Sequence, residues 1–475
     1  MYVTVRNLAV HLPSMKRPIL LAFLCVLTFG STAQTDSLFI RKMYDEVLEK
    51  GHAHENLRSL CKDIGARITG SAEAEMAIRW GKALLESYDL DTVYLQEFQA
   101  PRWERGTEEV GWITNSNGEM YKLNITALGG SEGTGGLLEG DIVPVMGIDE
   151  MNAMDPDKIK GKVVFFNRPF DQKYIRTFEA YGACADQRWG GTSEASKLGA
   201  KGVIIRSMAT PKDDHPHTGS MSYEEGVTKI AGAAMSTNDA DILTDWLSKG
   251  PVQLSMDMDC RMMPEITTHN VIGEIRGSED NKIITFGGHL DSWDVGEGAH
   301  DDGAGIVHCI ESIRLMKKLD YKPKHTLRIV LFMNEENGNN GGKSYAKWCH
   351  ERGEEHIAAL ESDRGGFLPE GFDISGSTEQ VDWVRNLTKV MYDFRLSRFD
   401  PGYSGVDINP LNDYYPGMLQ FGLEINSQAY FNYHHTEADV FEAVNKRELE
   451  LGCAAMSSMI YLVDKYWKPF ETEKK

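Results

Sequence analysis

Apolar and polar positions along the chain alternate between two kinds of period. Ile283-Ile284-Thr285-Phe286, Leu327-Arg328-Ile329-Val330-Leu331-Phe332-Met333 and Ile357-Ala358-Ala359-Leu360 are short apolar runs that end in Gly, Asn or acidic residues. That is the pattern of buried strands, predicted at 283–286, 326–333 and 357–361. Between the first two the spacing lengthens, and Ile306, Ile310 and Ile313 mark one face of a helix over 303–319. A last helix is predicted from about 446 to 465. Nearer the N-terminus, Ala77, Trp80, Leu84 and Tyr88 share a helical face. Ser71 is that helix's expected N-cap, with Glu73 and Glu75 in the favourable first turn. Residues 91–98 follow as a strand. Alternating strands and helices imply an α/β fold, a mostly parallel, mixed sheet sandwiched by helices.

From about Glu108 to Cys260 the texture changes. Short strand-like runs (141–145, 162–166, 202–205) alternate with Gly-rich loops, and Ser193 to Leu198 before Gly199 reads as a helix with a glycine cap. We read this stretch as an inserted, β-rich, non-catalytic domain.

The chain has 475 residues, too many for one compact core. Its net charge of -21 excludes the basic face that nucleic-acid binding requires, so no nucleic-acid partner is expected. Lys16-Arg17, an apolar run from Ile19 to Phe29 and Ser31-Thr32-Ala33 follow the order of a signal peptide. Cleavage after Ala33 would leave a secreted or periplasmic protein with no membrane anchor. Six cysteines remain beyond that point, scattered and without a C-x-x-C pair. The expected division is therefore a signal peptide (1–33), a first catalytic part (34–107), the insert (108–262) and a second catalytic part (263–475).

Candidate chemistry gathers at the predicted strand ends. His289 follows Gly287-Gly288, just past the strand, where open α/β sheets carry their ligand-binding residues. Asp291 is placed to accept the imidazole's other N–H. Asp301 opens the next helix, Glu335 and Glu336 end the strand at 327–333, Asp363 ends the one at 357–361, and His435 lies farther on. Mixed imidazole and carboxylate donors suit zinc in an open catalytic site. Two adjacent carboxylates at one strand end can divide their work between a metal and a water. Gly129-Gly130-Ser131-Glu132-Gly133 matches the G-x-S-x-G nucleophile pattern, but lacks the strand and helix that its mechanism needs. His215-Pro216-His217 reads as a loop.

Taken together, Gly287-Gly288-His289-Leu290-Asp291-Ser292-Trp293-Asp294, Ala299-His300-Asp301-Asp302-Gly303, Glu335-Glu336, Glu361-Ser362-Asp363 and His434-His435-Thr436 resemble the co-catalytic dizinc aminopeptidase-like metallopeptidases. In the insert, Lys160-Gly161-Lys162-Val163-Val164, Ser193 to Ala200 and Pro216-His217-Thr218-Gly219 resemble a protease-associated domain. The resemblance implies a zinc-exopeptidase fold of the phosphorylase/hydrolase-like type and two Zn2+ per chain. His289 and Asp363 would hold one ion, Glu336 and His435 the other, and Asp301 would bridge them. Asp291 would orient His289, and Glu335 would be the general base for a metal-bridged water. A cis peptide between Asp301 and Asp302 is implied as well, as is a homodimer. The implied substrate is a dipeptide or short peptide with a free N-terminus. His434, Tyr433, Tyr403 and Asp407 are candidates for binding it, and the oxyanion stabiliser stays open among His434, Tyr433 and the loop 402–407. Two other readings are a single-zinc glutaminyl-cyclase-like enzyme and a non-catalytic receptor on the same architecture. A complete five-ligand set with a base speaks against both.

Overall fold

The computed structural model describes residues 18–470, with side chains from Gln34 onward. The leader predicted over residues 1–33 thus lies outside the part whose side chains are described. Among the described residues no helix is long and apolar enough to cross a membrane.

Two eight-stranded sheets organise the chain. In the first, the strands Thr326–Phe332, Ile283–His289, His356–Glu361 and Leu419–Ile425 lie side by side and parallel. Antiparallel strands flank them on both sides, Arg261–Ile275 on one and Pro369–Ser375 on the other. Strand alternation divides the apolar residues between two layers. Leu327, Ile329 and Leu331 face the helices Ala304–Lys318 and Lys446–Tyr466, whereas Val330 and Phe332 pack with Tyr345 and Ala346 of the helix Asn340–Glu351. The helix ends follow local chemistry. Ser71 accepts from Ala74 N at 3.0 Å, and Asn445 caps the last helix through Arg447 N and Glu448 N.

The strand predicted to stop at Phe286 continues through both glycines to His289. These glycines therefore make no turn; they let neighbouring groups approach. A Cβ on Gly287 would lie 2.2 Å from Val330 O, and one on Gly288 2.3 Å from Asp302 Oδ2. Flanking glycines in a strand mark such approaches as readily as turns.

The second sheet is built from residues 109–258 and grows from the first. Thr92–Glu104 and Arg261–Ile275 pair antiparallel from Thr92↔Glu274 to Glu104↔Arg261, and the second lobe begins where this ribbon ends. That lobe is itself mixed α/β, with parallel strands Leu138–Val145, Val163–Phe166, Gly202–Arg206 and Ala231–Met235 and a helix at Thr237–Lys249. Its loops close over the C-terminal ends of the first sheet's parallel strands. Arg105 bonds Asp294 at 2.6 Å, Thr126 at 2.7 Å and Ala127 O at 2.8 Å. Trp293 packs into the second lobe's core, so close to Gly129 that a Cβ there would meet its ring at 1.8 Å. All six described cysteines are buried free thiols.

Candidate metal centre and active site

Four elements of the first sheet deliver their acidic and imidazole side chains to one point. The strand Ile283–His289 ends on His289, and Asp301 precedes the helix Ala304–Lys318. Glu335 and Glu336 lie just beyond Thr326–Phe332, and Asp363 just beyond His356–Glu361. His435 arrives from the segment after Leu419–Ile425, at a positive φ of 62°. The peptide between Asp301 and Asp302 is cis.

Asp301 is the centre of the arrangement. Its Oδ1 lies 3.2 Å from His289 Nε2, which is itself 3.3 Å from Asp363 Oδ1. Its Oδ2 lies 3.3 Å from His435 Nε2, which is 3.3 Å from Glu336 Oε2. Each oxygen thus faces its own imidazole, and each imidazole nitrogen faces a second carboxylate as well. A tetrahedral zinc about 2.0–2.1 Å from N and O donors sets those donors about 3.3 Å apart, so both clusters have the spacing of a zinc ligand sphere. Their charge points the same way. Burial pushes Glu336 up to about 7, helped by the charge of Asp301, and pushes Asp363 up as well. Burial also opposes the charge on Asp301, but His289 and His435 outweigh it and hold its carboxyl well below the usual range. Glu336 Oε1 is buried with no protein hydrogen bond. Buried carboxylates crowded in this way need cations.

The surrounding groups fix these side chains. His289 Nδ1 lies 3.0 Å from the backbone carbonyl of Asp291, while the Asp291 carboxylate stands 3.9 Å away. The expected carboxylate–imidazole contact is therefore replaced by a carbonyl one. The freed carboxylate accepts from Glu335 N at 3.1 Å, Glu336 N at 3.4 Å and Thr69 Oγ1 at 3.0 Å. It holds the two-glutamate turn rather than the histidine. Asp302 accepts from His289 N and Gly305 N, both at 3.0 Å. Asp439 accepts from His300 N at 2.7 Å and Asp301 N at 3.1 Å.

Fully buried Arg67 donates to the carbonyls of Leu290 at 2.6 Å, Glu297 at 2.6 Å and Gly298 at 3.0 Å, pinning the loop between His289 and Asp301. Arg67 and Thr69 carried no site signal in the sequence, where Arg67-Ile68-Thr69-Gly70 only led into a helix. Glu361 binds Val406 N at 2.8 Å and Ile408 N at 2.9 Å, fixing the loop 402–408.

A cavity of about 530 Å³ opens onto this centre, lined by Glu335, His434 and Tyr403 among others. Burial and the neighbouring acids hold the Glu335 carboxyl well above its ordinary value. The ring of His434 stacks on that of His435 at 3.5 Å, with Nε2 3.8 Å from Asp301 Oδ2. Two of the expected substrate contacts are elsewhere. Tyr433 stacks on His300 at 5.2 Å, and Asp407 is buried beneath the loop with neither carboxylate oxygen hydrogen-bonded; neither lines the cavity. The second lobe, read from the sequence as non-catalytic, supplies Phe178, Tyr181, Arg188, Trp189 and Ser220 to the cavity wall. Ser220 donates to Glu336 O, and Thr218 N donates to His435 O at 3.1 Å. Ser131 of the G-x-S-x-G match is buried, accepts from Gly232 N at 2.9 Å and donates to Glu132 O at 2.9 Å.

Carboxypeptidase Q of Bos taurus is 31% identical over 418 residues, covering 87% of this chain and 85% of its own length. The signature of Peptidase family M28 matches residues 270–459. This chain belongs to peptidase family M28. Like the family's zinc peptidases it is a zinc metallopeptidase, and His289, Asp301, Glu336, Asp363 and His435 lie within the matched span. A solved structure of a peptidase M28 precursor from Shewanella amazonensis is 30% identical and superposes with a TM-score of 0.87 over 93% of this chain and 100% of that one. The zinc aminopeptidase of Bacillus subtilis, 18% identical with a TM-score of 0.62 over 86% of this chain and 94% of its own, shares the M28 fold.

Proposed function

We propose that this M28 peptidase is an exported dizinc exopeptidase that cleaves dipeptides or short peptides next to a free N-terminus. The observation that carries the reading is the division of Asp301, whose two oxygens each face a different imidazole at 3.2–3.3 Å, each imidazole nitrogen lying 3.3 Å from a second carboxylate. In it, His289 and Asp363 would hold one zinc, Glu336 and His435 the other, and Asp301 would be shared. Bound zinc supplies a Lewis acid for the scissile carbonyl and lowers the pKa of water.

The chain's own groups do the rest. Glu335 lines the cavity beside the cluster, placed to take the proton from the attacking water and return it to the leaving amine. Asp291 keeps Glu335 at that station through its backbone N–H. His434, at the cavity edge and 3.8 Å from Asp301, is placed to donate to the developing oxyanion. The cavity's carboxylates Glu335, Glu361 and Asp363 favour the ammonium of a free N-terminus. Export rests on the leader order of residues 16–33. The second lobe, read as a protease-associated-type domain, closes the cavity and limits substrate length. A homodimer belongs to the same reading.

Alanyl-alanine and its N-acetyl form test the specificity. The free dipeptide should be hydrolysed with kcat/KM at least about 100-fold higher, the cost of leaving a buried polar site unpaired. Equal rates would contradict the exopeptidase reading.

A further inference from the structure

Arg188 has more donors than the protein uses. It is 3% exposed and sits in the cavity wall, held over the rings of Tyr181 and Trp189 at 5.4 and 5.8 Å. Among the described residues no carboxylate forms an ion pair with it, although the cavity is crowded with acids. Its Nη2 donates to Tyr181 Oη at 2.6 Å, and its buried Nε has no hydrogen-bond partner. Its Nη1 lies 3.4 Å from His435 Nδ1. With His435 Nε2 turned to Asp301 and Glu336, Nδ1 carries the ring's proton, and Thr218 O at 3.3 Å accepts it. That nitrogen then has no lone pair to offer Arg188. A buried guanidinium with five N–H donors and one firm acceptor is costly unless a ligand supplies an anion. By contrast Arg364, on the same wall, is already taken by Asp373, Glu424 and Tyr403 O.

We propose that Arg188, delivered by the second lobe, is the specificity-determining residue that binds the free α-carboxylate of the residue leaving in hydrolysis. The inference rests on the exopeptidase reading above. In a dipeptide only the amide nitrogen and one Cα separate the scissile carbonyl from that carboxylate, less than the roughly 3.8 Å between successive Cα atoms. An anion so close to the reacting bond must fall beside the zinc ligands, where Arg188 abuts His435. Because the guanidinium is buried in the cavity wall, an anion that reaches it belongs to the end of a chain. Its planar fork suits a carboxylate bound through both oxygens.

The test compares alanyl-alanine, alanyl-alanine amide and alanyl-glutamate amide on the wild type and Arg188→Gln. In the wild type the acid should have the lowest KM. Arg188→Gln should raise KM for the acid by about 30-fold or more, with kcat little changed, and cost the amide far less. A zinc content and thermal unfolding midpoint equal to the wild type's show that the variant is folded. If acid and amide slow alike, or if kcat falls alone, Arg188 does not read the carboxylate. If alanyl-glutamate amide matches the acid in the wild type, the residue reads a side chain and the proposal falls. Calorimetric binding of the same three compounds to zinc-loaded Glu335→Gln, with and without Arg188→Gln, needs no turnover. Arg188-dependent binding without hydrolysis would overturn the exopeptidase reading alone, whereas hydrolysis without Arg188 dependence would overturn this inference alone.

Discussion

At the scale of single residues, Asp291 shows how much depends on which atom of a side chain does the work. Its backbone carbonyl receives the His289 N–H, and its carboxylate gathers three donors from Thr69, Glu335 and Glu336. One residue therefore aligns a candidate zinc ligand and the proposed base through different groups. Asp291→Asn keeps the carbonyl and the volume but turns an amide N–H2 towards backbone donors. The variant should remain folded and bind zinc through His289, while kcat falls about 10–100-fold. Steady-state kinetics beside zinc analysis would show this, and an unchanged kcat would remove Asp291 from the support of Glu335. Sequence pattern brought Asp291 forward because an acid two positions after a strand-end histidine has an evident use. It could not tell carbonyl from carboxylate, since spacing alone carries no backbone dihedrals.

Between elements, the packing of the helix Ala304–Lys318 on Lys446–Tyr466 is set by a buried imidazole. His308 Nδ1 bonds Ser362 Oγ at 2.9 Å, and its Nε2 lies where a Cβ on Gly452 would come within 2.3 Å. Burial pulls His308 from the ordinary 6.5 down to about 3. Between those values the unfolded chain binds a proton that the folded chain refuses, so stability is lost as pH falls from 6.5 towards 3. His308→Gln removes that proton. Denaturation profiles should show the wild type losing roughly 1.4 kcal/mol more per pH unit than the variant between about pH 6 and 4; parallel profiles would contradict the buried neutral histidine.

At this scale the elements themselves were legible. Apolar runs located three of the first sheet's four parallel strands, missing Leu419–Ile425, and Ser71 located a helix start, because burial on both faces and an unsatisfied helix end leave local marks. The glycines before His289 misled. A residue without a side chain serves turns and close contacts alike, and only the neighbours at Val330 and Asp302 decide.

For the whole molecule, the second lobe decides what the first can do. Ser220 and Thr218 hold Glu336 and His435, and Arg105 ties Asp294 to the strands around Thr126. None of this was legible along the chain. Arg188 and His435 are 247 positions apart, and no period or motif joins residues that meet only when one lobe folds over another. Four of the five candidate ligands were legible because they stand at strand or helix ends, where the α/β topology itself brings them together, whereas His435 stood out only through the resemblance of His434-His435-Thr436 to the family's motif. The account turns on that meeting point holding two ions. Elemental analysis of purified protein, wild type and Glu335→Gln, measures it directly. About two zincs per chain in both proteins, with alanyl-alanine hydrolysis lost about 100-fold or more only in the variant, is the predicted result. One zinc per chain, or an active Glu335→Gln, would contradict it.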